Sequence, residues 1–214
     1  VTWYGGTNVF GCNGTGCTCN GASGCVPTGA GSCGPWTTPG SYNCDVPCLS
    51  TVITIDIRGP GGGGGGGYDG CAPYTVGSGG GATAGGGTGP GAAGGNTILK
   101  WGATVLAQAA VGNGGAAGDG TGGAARGTNV YTGLTLTSNG GGAGGAGGTV
   151  DGIDYNSPGS PGGAGDKVTG TISGQGTRTL TCIVGAQPTG GASGPMFPLT
   201  NGGTGSVGYC KISW

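Results

Sequence analysis

The chain has 214 residues, of which 64 are glycine and 12 proline, with six basic and seven acidic side chains, no histidine and a net charge of −1. This composition excludes catalytic triads and metal sites that need imidazole. It gives no basic footprint for nucleic acid and no sign of membrane insertion, because no apolar run approaches the roughly 18–20 residues of a spanning helix.

Residues 1–50 form a cysteine-rich segment holding Cys12, Cys17, Cys19, Cys25, Cys33, Cys44 and Cys48; the remaining cysteines are Cys71, Cys182 and Cys210. An even, dense set in a segment too poor in large side chains to build its own core predicts a disulfide framework, and so an oxidising compartment. A thiolate metal cluster is the rival reading. No paired C-x-x-C motif and no histidine support it, so no metal is expected. The spacing leaves the pairings open. Turn signals such as Asn13-Gly14, Asn20-Gly21 and Thr38-Pro39-Gly40 predict short strands joined by tight turns. A start at Val1 rather than methionine predicts processing or trimming of the N-terminus.

The texture changes at residue 51, where a glycine-rich domain is expected to run to residue 214. Thr51 to Arg58 alternates β-branched apolar with polar residues, the pattern of a strand with one buried face, and runs through Gly59-Pro60 into seven consecutive glycines. Asn96–Trp101 and Ala103–Val111 predict a hairpin turning at Gly102. Lys167–Ser173 and Thr177–Val184 predict another pair, and Ser206–Trp214 a closing strand. No segment carries a sustained 3.6-residue apolar period. Glycine also costs a helix about 1 kcal/mol per position, so essentially no α-helix is expected.

Between these islands lie glycine tracts at 77–95, 112–127, 139–149, 158–165 and 185–205. Large aliphatics are few, so a conventional core looks thin. Glycine also has the most backbone freedom to lose on folding. An ordered state that suits such tracts is the polyproline-II or polyglycine-II helix, with three residues per turn and no internal hydrogen bonds. Its amides must then pair with adjacent helices. The expectation is a bundle of such helices with short β-strands, in which backbone rather than side chains forms the interior.

Chemistry-bearing motifs are sparse. The seven aspartates are spread along the chain and read as turn residues. Matches to G-x-G-x-x-G arise by chance at this glycine content, and no phosphate-loop lysine follows one. Gly162 to Asp166 approaches a calcium nonapeptide with its aspartate one place early, and Asp151-Gly-Ile-Asp154 reads as a solvated turn. Asn13-Gly-Thr15 is a formal glycosylation sequon. No catalytic residue, cofactor or enzymatic activity is expected. Tyr68, Tyr74, Tyr131 and Tyr155 interrupt glycine tracts where a bundle would turn. Rigid amphipathic rings on loops suit recognition of sugars or protein surfaces, or else plug the bundle ends. Trp101 and Trp214 are expected to pack on strands.

Thr51 to Gly67 (TVITIDIRGPGGGGGGG), Gly94 to Gly115, Gly176 to Ala186 and the closing GGTGSVGYCKISW resemble the glycine-rich domain of bacteriophage tail-fibre and tail-tip adhesins. The resemblance covers about residues 36–214 and leaves the cysteine-rich start without a counterpart. It implies a sandwich of polyglycine-II helices with receptor-recognition loops at a distal tip; in this chain 127–138 and 150–158 are the loops expected to bind. The function it implies is a non-enzymatic receptor-binding protein on a virion surface or outside the cell. Its partners would be other virion or fibre subunits and a host-surface protein or glycan. A structural capsid, fibre or filament subunit without its own receptor is the alternative. An ice-binding protein ranks below both, because the Gly-x-x register breaks repeatedly.

Overall fold

A computed structural model of the chain describes residues 17–19, 25–27, 30–46, 52–66, 68–69, 95–115, 133–138, 140–142, 156–157, 161–173, 178–190 and 201–214. Among these residues there is no helix, and every strand pairing is antiparallel. Two short ladders stand apart: β1 (Cys17–Cys19) with β2 (Cys25–Pro27), and β6 (Tyr68–Asp69) with β10 (Asn156–Ser157).

The other nine strands make two sheets. The larger has the order β3 (Ser32–Trp36), β13 (Tyr209–Ser213), β5 (Val52–Arg58), β11 (Lys167–Ser173), β9 (Leu134–Thr137). The smaller runs β4 (Gly40–Val46), β12 (Arg178–Val184), β7 (Thr97–Trp101), β8 (Thr104–Ala109). The expected division at residue 50 falls between β4 and β5. Since β3 and β4 are sheet members, residues 32–46 belong to the sandwich.

The alternation in β5 decides the architecture. Ile53, Ile55 and Ile57 point inward and are fully buried, while Val52, Thr54, Asp56 and Arg58 face outward. Val168 and Ile172 of β11 and Cys210 and Ile212 of β13 join them. They meet Cys44, Val46, Leu99, Leu106, Leu180, Cys182 and Val184 from the opposite sheet in one apolar cluster. This corrects the expectation that side chains contribute little to the interior. The large aliphatics are few, but strict period-two placement puts most of those on the strands into one layer between the sheets. Each such burial is worth roughly 1.5–3 kcal/mol.

Two disulfides cross that layer. Cys33 of β3 bonds Cys44 of β4, and Cys182 of β12 bonds Cys210 of β13, so each joins one sheet to the other. Because β3 neighbours β13 and β4 neighbours β12, both staples sit at the same side of the sandwich.

The glycine-rich segments all leave the sandwich at one end, where β5, β8, β9 and β12 finish and β11 and β13 begin. There, six segments hydrogen-bond to one another through their backbones: 59–66, 110–115, 140–142, 161–166, 185–190 and 201–208. Residues 59–66 lie at the centre and are buried throughout. Their bonds rotate with a period of three. The Gly59 and Gly62 amides donate to the carbonyls of Asp166 and Gly163 at 2.8 and 2.9 Å. Those of Gly61 and Gly64 donate to Ser206 and Gly203 at 3.2 and 2.8 Å. The Pro60 and Gly63 carbonyls accept from the amides of Gly112 and Gly115 at 2.8 Å each.

Two of these partners continue the sheet. The register pairing Arg58 with Lys167 and with Tyr209 runs on without a slip into the glycine segments, and on the β11 side it reaches Asp69 opposite Asn156. The third partner comes from the other sheet, since 110–115 follows β8. Sheets with side chains between them stand about 10 Å apart. Where both sides are glycine that spacing closes, and the two layers bond directly. A β-carbon at Gly59 would collide with the carbonyl of Ala110, and one at Gly63 with that of Thr189.

Candidate binding surfaces

Register fixes four rows of outward positions on β13, β5, β11 and β9; the row farthest from the glycine end is Val52 with Ser173, and the other three are polar. Tyr209, Arg58, Lys167 and Thr137 lie side by side next to the glycine end. Lys211, Asp56, Thr169 and Thr135 form the second row, and Ser213, Thr54 and Thr171 the third. Arg58 is tied down from two directions. Its Nε and Nη2 donate to the two carboxylate oxygens of Asp56 at 3.2 and 2.8 Å, and its guanidinium lies 4.6 Å from the centre of the Tyr209 ring. The hydrogen bonds to Asp56 hold Arg58 above the ordinary guanidinium value, against the partial burial that lowers it, with the charge of Asp56 and the nearby Tyr209 adding to the rise. The cation is therefore permanent and fixed in place. Lys167 and Lys211 stand on either side of this group.

The smaller sheet presents a different outer face. Thr179 donates its hydroxyl to Asp45 at 2.6 Å and Thr181 to Asn43 at 3.0 Å, giving a cross-strand polar ladder between β12 and β4. At the end of the sandwich away from the glycine segments, β7 and β8 turn through Gly102, whose φ of 57° is the left-handed region. Trp101 and Val105 beside this turn are 45% and 39% exposed. Trp101 was expected to pack on a strand; it lies at the end of β7 and is 45% exposed. Trp214 meets the other expectation, since its ring lies over Gly31, to which it is joined by two backbone hydrogen bonds of 2.9 Å. Trp36 and Tyr42 stack at 5.1 Å where the chain crosses from β3 to β4, with the Tyr42 hydroxyl donating to the Thr38 carbonyl.

Of the four tyrosines predicted for recognition, Tyr68 falls in β6 opposite Ser157 rather than in a free loop. Tyr74, Tyr131 and Tyr155 lie outside the described residues. The expected loop 127–138 is overturned in part: Leu134–Thr137 is the edge strand β9, paired with β11 through the Lys167–Thr137 to Gly170–Leu134 register. Its Leu-Thr-Leu-Thr alternation was the available signal. Within 150–158, Asn156 and Ser157 pair with β6. Four of the ten disulfide candidates, Cys33, Cys44, Cys182 and Cys210, are bonded as described. Cys17, Cys19 and Cys25 lie on β1 and β2, and Cys12, Cys48 and Cys71 lie outside the described residues. Asp45 and Asp56 sit on outer strand faces rather than in turns, and Asp166 is buried where β11 meets the glycine segments.

Among the described residues these features define an antiparallel, disulfide-tied two-sheet protein with a backbone-bonded glycine end. The disulfides are compatible with an oxidising, extracellular setting. No helix among the described residues is long and apolar enough to cross a membrane. No family model matches the chain, and no curated protein or solved structure matches it significantly.

Proposed function

We propose that this chain is a non-enzymatic protein of a virion surface or other extracellular structure, resembling a tail-fibre tip, in which the glycine segments form a polyglycine-II bundle that holds recognition loops rigidly. The observation that carries this reading is the three-residue rotation of hydrogen bonds around 59–66. A helix with three residues per turn offers successive residues to three different neighbours, whereas a strand alternates between two. The buried Pro60 and Pro188 fit the same reading. Proline's fixed φ belongs to that helix, and the carbonyls of both accept amides from adjacent segments, those of Gly112 and Gly205.

Such a mount suits binding because a frame with few mobile side chains leaves little entropy to be lost when its loops engage a partner. The candidate recognition segments are 70–94, 143–155 and 191–200, which lie outside the described residues. The test replaces 143–155 by a short Gly-Ser linker and measures binding to a panel of bacterial cells and to a glycan array. The wild-type chain binds a subset, and the linker variant loses that binding at an unchanged melting temperature. Binding that survives the replacement counts against this loop. The alternative of a purely structural subunit draws on β3, β9, β4 and β8, which are the edge strands among the described residues and which a neighbouring chain can extend. Filaments in electron micrographs, with no cell or glycan bound, favour that alternative.

A further inference from the structure

The chain carries six basic side chains in all, at a net charge of −1. Three of them, Arg58, Lys167 and Lys211, stand on the outer face of the larger sheet, with Asp56 the one carboxylate among the three polar rows. Chain composition alone does not gather them, since the three are far apart in sequence and meet only through the order β13, β5, β11. Around them are hydroxyls on alternate positions: Thr54, Thr135, Thr137 and Thr171 are exposed, and Thr169, Ser213 and Tyr209 half-buried. The face is thus a β surface on which three cations, one of them held in place by Asp56 and Tyr209, sit among hydroxyl donors and acceptors.

We propose that this face is a binding surface for an acidic polysaccharide, with Lys167 and Lys211 meeting its carboxylate or sulfate groups, Arg58 supplying a fixed cation between them, and the threonine rows meeting its ring hydroxyls. Charge complementarity selects the occupant. The face carries a local excess of positive charge on a chain that is negative overall, and three cations fall short of the roughly six to ten phosphate contacts typical of a nucleic-acid binder. The one tyrosine there is engaged by Arg58, so the stacking platforms of a single-strand binder are missing from these rows. The proposal uses only described strands and does not depend on the loops discussed above.

The experiment measures binding of heparin and polygalacturonate as sulfated and carboxylated probes, with neutral dextran and single-stranded DNA as controls. The wild-type chain binds at least one acidic polysaccharide about tenfold more tightly than dextran or DNA, and about 0.5 M salt removes that binding. Lys167→Gln with Lys211→Gln weakens it about tenfold, while Lys100→Gln on the other sheet leaves it unchanged. Thr137→Glu, which sets a carboxylate beside Lys167, gives a second and independent loss. Absence of binding to both acidic probes overturns the proposal. So does equal affinity for DNA, or a double variant that folds and binds like the wild type.

Discussion

The carbonyl of Asn113 occupies the place where a β-carbon of Gly62 would stand, and the same carbonyl accepts the amide of Gly163 at 2.8 Å. Three segments from different parts of the chain therefore converge at one peptide group. Neither the oxygen nor Gly62 can retreat without breaking a bond to a third segment.

Gly62→Ala is expected to destabilise the protein by about 2 kcal/mol or more, because the methyl must push apart backbones rather than displace a side chain. Gly95 offers the contrast. A β-carbon there would have only ordinary contacts at 3.7 Å, to Ala186 and Gly185, and its φ is not left-handed. Gly95→Ala is expected to change stability by less than about 1 kcal/mol. Denaturant midpoints of the two variants check this pair directly.

Hydrogen exchange separates a bonded bundle from glycine loops laid over a sandwich. The amides of Gly59, Gly61, Gly62 and Gly64 all donate to neighbouring glycine-rich segments and are buried. They are expected to show protection comparable to Ile55 of β5, because opening them requires separating several segments at once. Exchange at loop rates would show that these segments do not form a backbone-bonded interior.

Removing either staple is expected to cost about 3 kcal/mol, with the larger loop losing more. The sequence separations are 11 for Cys33–Cys44 and 28 for Cys182–Cys210. The double replacement Cys182→Ser with Cys210→Ser should therefore lower the melting temperature further than the replacement at Cys33 and Cys44. For a chain of this size the drops are roughly 6–12 °C. Calorimetry on the two double variants reads the order.

The Arg58–Asp56 pair fixes a cation but adds little to stability. With side chains 40% and 25% exposed, solvent screens it. A double-mutant cycle between Arg58→Ala and Asp56→Ala is expected to give a coupling below about 1 kcal/mol. Because the guanidinium is raised rather than lowered by its surroundings, its contribution is complete throughout the neutral range. On the alkaline side it is lost as strongly alkaline solution deprotonates the folded form. A coupling that changes between pH 6 and pH 9 would contradict this.

Much of the strand content was legible beforehand because period-two alternation is local. The run from Thr51 to Arg58, the hairpin around Gly102 and the strands beginning at Lys167 and at Arg178 all appear within a residue or two of where the pattern puts them, but the last two do not pair with each other: β11 lies in the larger sheet and β12 in the smaller. β9 was missed because four residues between glycine tracts give the pattern too little length. The cationic face was not legible at all. Arg58 and Lys167 are neighbours only because β5 pairs with β11, and nothing within either strand names its partner.

What the sequence determined by itself was the material: inward isoleucines, sulfur enough for staples, and tracts with no side chain to hold neighbours apart. What only the tertiary structure decided was who meets whom. Cys182 finds Cys210, Gly62 finds Gly163, and Lys211 lies opposite Asp56 through strand order and register. Those are set by the long-range pairing of segments, where a shift of one residue turns every side chain to the other face.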